Sequence, residues 1–289
     1  MHIKTMQESL NFLKKNPILY IPDIFMAAIS SILVYYLYLY TGAPDFLALI
    51  QTEAASLDLI KSFFSENLKE IIISGITFIL VTFIFGVGVI IFKFSMIREM
   101  LTGKKISLLK SWKEKKGFFW PVVFLRILVY LLSILSILII SLISLAIYAL
   151  LFSLSENLAL SIAFIVWICL GVITLIYLKL VILFRYPIMF LEQTKHPIQI
   201  IKESYKYLKT QPKYVGETWL IVILLTIIFW AANYIIGTFV GVAVSFVSLV
   251  SIATVFSALW MVLNMLIDIT IDLWTTIYVF LRFKEKTKE

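Results

Sequence analysis

The 289-residue chain is 62% hydrophobic and 15% charged, with a mean hydropathy of +1.02. Water-soluble domains carry roughly 25% charged residues and bury their apolar side chains in a core of limited size, so this composition excludes a soluble globular fold. The net charge of +8 lies on residues that flank apolar runs, which assigns it to topology and lipid headgroups and leaves no case for a nucleic-acid partner.

Runs of about 20 apolar residues are long enough to cross a bilayer as helices. Six occur, at 18–40, 71–93, 122–152, 158–184, 218–248 and 252–281. Backbone hydrogen bonds must close internally in hydrocarbon, and no alternating barrel pattern is present. The sequence therefore predicts an all-α polytopic protein, one transmembrane domain spanning 1–289. The first run is too long for a cleavable signal and reads as an anchoring span.

Between spans one and two, Thr41–Glu70 carries apolar residues at roughly helical spacing (Phe46, Ile50, Leu57, Ile60, Phe63, Phe64), which predicts one or two amphipathic helices on the membrane surface. The loops at Lys93–Lys116 and Arg185–Lys213 are basic, as are both ends of the chain. Of 25 lysines and arginines only Lys61 and Lys69 fall on the opposite side. The positive-inside rule then places both termini in the cytoplasm of a cell-membrane protein.

"ESLNFLKKNP" from Glu8 and "ESYKYLKTQP" from Glu203 match at Glu8/Glu203, Ser9/Ser204, Leu13/Leu208, Lys14/Lys209 and Pro17/Pro212. "ISLLKSWKEKKGFFWPVV" from Ile106 is a looser relative. The pattern predicts three tandem units, approximately 1–100, 101–195 and 196–289, each a short amphipathic interfacial helix followed by a helical hairpin. Parallel repeats imply pseudo-rotational symmetry about the membrane normal. In the helix at 196–210 the expected apolar stripe is Ile198, Ile201, Tyr205 and Leu208. Lys202, Lys206 and Lys209 face the other way, toward anionic headgroups.

Chemistry-bearing residues are few. Asn264, Asp268 and Asp272 recur at four-residue steps on one face of the sixth span. Asp268 falls near mid-membrane and Asp272 about 6 Å nearer the basic side. Ionised acids there are costly and must find partners or become neutral. The expected partners are Arg126, Lys179, Arg185 and Asn233. Two readings stay open: a hydrogen-bond and ion-pair lock between hairpins, or a proton or cation site of a small transporter or channel. Gly237, Gly241 and Ser245 supply small residues for helix packing in the fifth span. Asp23 is expected at the interface. With two histidines, one cysteine, no phosphate-cradling loop and no nucleophile elbow, neither catalysis nor a metal or cofactor site is expected.

The segments "FRYPIMFLEQTKHPIQIIKESYKYLKTQP" (184–212), "WTTIYVFLRFK" (274–284) and "SLNFLKKNPILYIPDIF" (9–25) resemble the membrane-domain family associated with glycerophosphoryl diester phosphodiesterases. The resemblance implies a six-span membrane protein of poorly defined role, found alone or beside a catalytic domain. That catalytic domain would need a barrel with histidine and carboxylate metal ligands, which this chain lacks room for, so the hydrolase activity is not carried over. The expectation is a non-enzymatic scaffold, lipid-associating or accessory component. Its expected partners are membrane lipids, through anionic headgroups, and a membrane protein of unspecified identity.

Overall fold

A computed structural model of the protein describes residues 2–52, 57–153, 155–245 and 250–287. Among these the chain is helical throughout, without strands. Helix α1 (His2–Lys15) leads through a short 3₁₀ turn into α2 (Ile21–Tyr40). Next come α3 (Ala43–Thr52), α4 (Leu57–Glu66), α5 (Leu68–Leu101) and α6 (Leu108–Leu151). The second half holds α7 (Glu156–Val181), α8 (Arg185–Leu191), α9 (Pro197–Thr210), α10 (Pro212–Ser245) and α11 (Val250–Lys286). Six stretches are long and apolar enough to cross a membrane: Pro17–Tyr40, Leu68–Leu101, Gly117–Leu151, Glu156–Leu191, Pro212–Val242 and Thr254–Lys286. The chain is a multi-pass, all-α membrane protein.

Prolines punctuate these helices unequally. Pro17 follows Asn16, whose backbone leaves the helical region at φ −131°, ψ 67° and whose amide donates to the Phe12 carbonyl, closing the end of α1. Pro212 follows Gln211, at φ −139°, ψ 56°. In each case the residue before proline leaves the helical region, as its steric conflict with the ring favours. Pro121 behaves differently. It lies inside the continuous 44-residue α6, so the separate interfacial helix expected in the middle of the chain does not exist. The missing N–H of Pro121 is absorbed within the helix.

Packing is concentrated at one end of the bundle. Phe94 and Ile97 of α5, Phe118 of α6, Phe190 of α8, and Phe280 and Phe283 of α11 are all buried there, together with Phe184 in the α7–α8 turn. The rings of Phe94, Phe118, Phe190 and Phe280 form one connected cluster, with centroids 4.9 Å apart for Phe118–Phe190, 5.5 Å for Phe94–Phe190 and 5.3 Å for Phe94–Phe280, and Phe184 and Phe283 meet at 5.5 Å. Toward the other end, side chains such as Leu150, Ile32 and Phe239 project outward. Lipid tails are as apolar as leucine, so helices gain little by hiding such groups from lipid. Water-driven burial operates only where the bundle meets an aqueous phase, and the dense core sits at that end. On the far side α3 and α4 meet through Phe46 and Phe63, stacked with centroids 4.2 Å apart.

Both chain ends lie on the densely packed side. Nδ1 of His2 shares a 2.8 Å hydrogen bond with the Tyr278 hydroxyl, and Oγ1 of Thr5 donates to Glu285 at 2.8 Å. Trp274 Nε1 donates to Oγ of Ser9 at 2.9 Å, so α1 is strapped along the end of α11.

Candidate functional site

The acids of the sixth span were expected to meet Arg126, Lys179, Arg185 or Asn233. Asp272 meets none of them in an ion pair. Its partner is Lys93 of α5, whose ammonium donates to Asp272 Oδ2 at 2.7 Å and to Asp23 Oδ1 at 2.8 Å. Asp23 therefore does not rest idle at the interface, as its position after Pro22 suggested. It is the second jaw of a clamp joining α2, α5 and α11. Lys93 is only 7% exposed, and one oxygen of Asp23, Oδ2, is buried without a donor. Beside the clamp, the Tyr20 hydroxyl donates to Thr270 at 3.1 Å, a further link from the start of the first span to α11.

Helix rotation explains why Asp268 and Asp272 part company. Ile269 and Leu273, four residues apart, turn into the core. This sets Asp272 at the edge of the buried seam and leaves Asp268 on the exposed side, with no hydrogen bond or ion pair among the described residues. Asn264, one turn earlier, donates nothing to the acids. Its side-chain oxygen accepts from the Asn233 amide, tying α10 to α11.

Arg126 is occupied elsewhere. Its guanidinium lies 4.7 Å over the Phe83 ring and donates to the Phe83 carbonyl at 3.2 Å. Gly86 makes room for it, since a Cβ there would stand 2.8 Å from Nη1. Arg126 thus fastens α6 to α5 and has no part in an acid site. Of the small residues in α10, Gly237 does pack on the sixth span: an added Cβ would lie 3.4 Å from Trp260. No described atom comes within 4 Å of a Cβ added at Gly241, and the side chain of Ser245 lies outside the described ones.

Beside the clamp, a cavity of about 540 Å³ opens between α7, α8, α10 and α11. Asp272, with 61% of its side chain exposed, borders it. Lys179 and Arg185 line the same space with Trp219, Thr275 and Thr276. The structure brings Asp272, Lys179 and Arg185 to one cavity, without bonding the acid to either base.

On the densely packed face, α9 exposes Lys202, Lys206 and Lys209 as expected. Its inward face keeps Ile201 and Leu208 of the expected stripe against the core but is rotated from the rest of it. Ile200 and Ser204 turn inward, with Ser204 donating to the Val181 carbonyl at the end of α7, while Ile198 and Tyr205 stay exposed. Arg282, which reads in the sequence as one more solvated base, is 1% exposed. Its guanidinium lies 4.0 Å over the Tyr214 ring and donates to Glu285 at 3.1 Å.

A regular signal connects these contacts. Glu99, Glu192 and Glu285 are evenly spaced along the chain, each in the last turn of a spanning stretch or just past it. Glu99 accepts from the Ser107 N–H at 3.1 Å, at the entry to α6. Glu285 accepts from Thr5, at the start of α1. Glu192 is exposed at the edge of α8, yet partial burial of its carboxyl, and then the neighbouring Glu203 of α9, push it above the ordinary carboxylate range. Glu99 thus reaches the entry to α6, Glu192 lies near α9, and Glu285 reaches α1.

No protein-family model, curated protein or solved structure matches the chain.

Proposed function

We propose that the chain is a non-enzymatic, lipid-associating scaffold or accessory component of a cell membrane, with both termini and the basic face in the cytoplasm. The observation that carries this reading is the use made of the intramembrane charge: Lys93 holds Asp23 and Asp272 together across three spans, an arrangement suited to fixing helices in place. The exposed lysines of α9 add a headgroup-facing surface. A three-unit organisation, supported by the contacts of Glu99, Glu192 and Glu285, fits a framework onto which another membrane protein can dock.

The reading is tested with the protein reconstituted in phosphatidylcholine vesicles containing brominated phosphatidylglycerol or brominated phosphatidylcholine, with tryptophan quenching as the measurement. Phosphatidylglycerol should quench more strongly. Lys202→Gln/Lys206→Gln/Lys209→Gln should reduce the preference by up to about a hundredfold, each surface lysine contributing on the order of 1 kcal/mol. Equal quenching by the two lipids in the unaltered protein refutes lipid association.

Orientation has its own measurement. On a Cys169→Ser background, an impermeant maleimide applied to intact cells should label Ser65→Cys and spare Lys206→Cys until the membrane is opened. Labelling of Lys206→Cys from outside inverts the topology.

One observation favours a second reading, a small transporter or channel: Asp268 is unpaired and Asp272 is exposed to the cavity. A solute or proton flux in vesicles that Asp268→Asn abolishes would put this reading first.

A further inference from the structure

The cavity beside Asp272 is graded in polarity along the membrane normal. On its α7 wall, Leu175 and Ile176 lie deeper, and Lys179 lies one turn closer to the basic face, followed by Arg185 at the start of α8. On its α10 wall the order is mirrored, with Trp219 near the basic face and Val222 and Ile223 deeper. Trp219 stands at the depth where amphipathic rings collect in bilayers. Cations and a tryptophan thus sit at headgroup level, and aliphatic side chains sit at acyl-chain level.

Charge balance points to the sign of the ligand. Among the described residues Lys179 makes no hydrogen bond or ion pair, and Arg185 packs over the Tyr186 ring, 4.7 Å away, without a carboxylate partner. The one acid on the wall, Asp272, shares the single positive charge of Lys93 with Asp23. The clamp carries at most one net negative charge, so Lys179 and Arg185 leave the cavity wall net positive. Its volume of about 540 Å³ falls in the range of roughly 300–1,000 Å³ typical of small-molecule sites. Basic pockets between spans on the cytoplasmic side are suited to phospholipid headgroups.

We infer that this cavity binds one anionic phospholipid, its phosphate held by Lys179 and Arg185 and its chains laid against Leu175, Ile176, Val222 and Ile223. The inference rests on the lipid-associating reading above and narrows it to a defined site. A free anion would use the same two cations but gain nothing from the aliphatic walls.

The test uses the full chain in neutral detergent, with melting followed as dioleoylphosphatidylglycerol, dioleoylphosphatidylcholine or inorganic phosphate is added. Saturating phosphatidylglycerol should raise the melting temperature by about 5 °C, with little response to the other two. Lys179→Gln, a change at an exposed position, should weaken the apparent affinity roughly tenfold, and Lys179→Gln/Arg185→Gln should abolish the shift. The α9 triple lysine variant should keep it. An equal response to phosphatidylcholine, or a response to phosphate alone, overturns the inference. So does a shift that survives Lys179→Gln unchanged. A shift lost in the α9 variant but kept in Lys179→Gln would sink the cavity while leaving lipid association at the surface intact. Loss of bilayer selectivity in the quenching measurement would remove both.

Discussion

Replacing Lys93 with methionine should destabilise the detergent-solubilised protein by about 3–5 kcal/mol, the usual consequence of removing one partner from a buried ionic group. Lys93 donates to two carboxylates, at 2.8 Å and 2.7 Å, and one oxygen of Asp23 is already buried without a donor. Without the ammonium, Asp23 and Asp272 are left as neighbouring acids with no cation between them, and α2, α5 and α11 lose their shared polar contact. Methionine keeps the unbranched apolar stem, so the loss reports charge more than volume. The triple variant Lys93→Met/Asp23→Asn/Asp272→Asn should recover most of the lost stability, because it removes the stranded charges together. Thermal unfolding of the two variants side by side is the measurement. A Lys93→Met protein that melts with the unaltered one would show that the clamp holds nothing.

Phe190→Ala should cost a comparable amount, about 3–5 kcal/mol, the range for deleting a fully buried aromatic side chain. Phe190 is 0% exposed and touches the rings of Phe118 and Phe94, so it joins α8 to α6 and α5. The seven-residue α8 is too short to persist on its own hydrogen bonds and depends on that packing. Phe239→Ala supplies the contrast. Phe239 is 70% exposed, on the far half of α10, and its loss should change stability by less than about 0.5 kcal/mol in detergent. Equal effects at Phe190 and Phe239 would contradict a core concentrated at one end of the bundle.

The spans were legible because hydropathy is a property of a stretch: a long run without charge has few alternatives to a membrane helix. Helices α3 and α4 likewise follow from spacing within one segment. Contacts between segments were less accessible. Periodicity places Asp268 and Asp272 on one side of α11, but it cannot fix how α11 is rotated about its own axis. A modest rotation sends Asp272 to Lys93 and leaves Asp268 exposed. The same ambiguity affects α9, where Ile201 and Leu208 pack inward as expected but Ile200 and Ser204 take the places expected for Ile198 and Tyr205. Lys93 and Asp23 each looked like a border residue, because nothing local to either one reveals the other. Pro121 misled differently, since proline marks a break only where the preceding residue leaves the helix. The even spacing of Glu99, Glu192 and Glu285 was available in the letters. It would have flagged Glu285 as more than a tail charge.

The strapping of α1 onto α11 sets an order of events during biosynthesis. The 14 residues of α1 leave the ribosome long before the side chains that hold them, on Trp274, Tyr278 and Glu285. The earlier segment must therefore wait, unlatched, until five further spans have been made and α11 has been inserted.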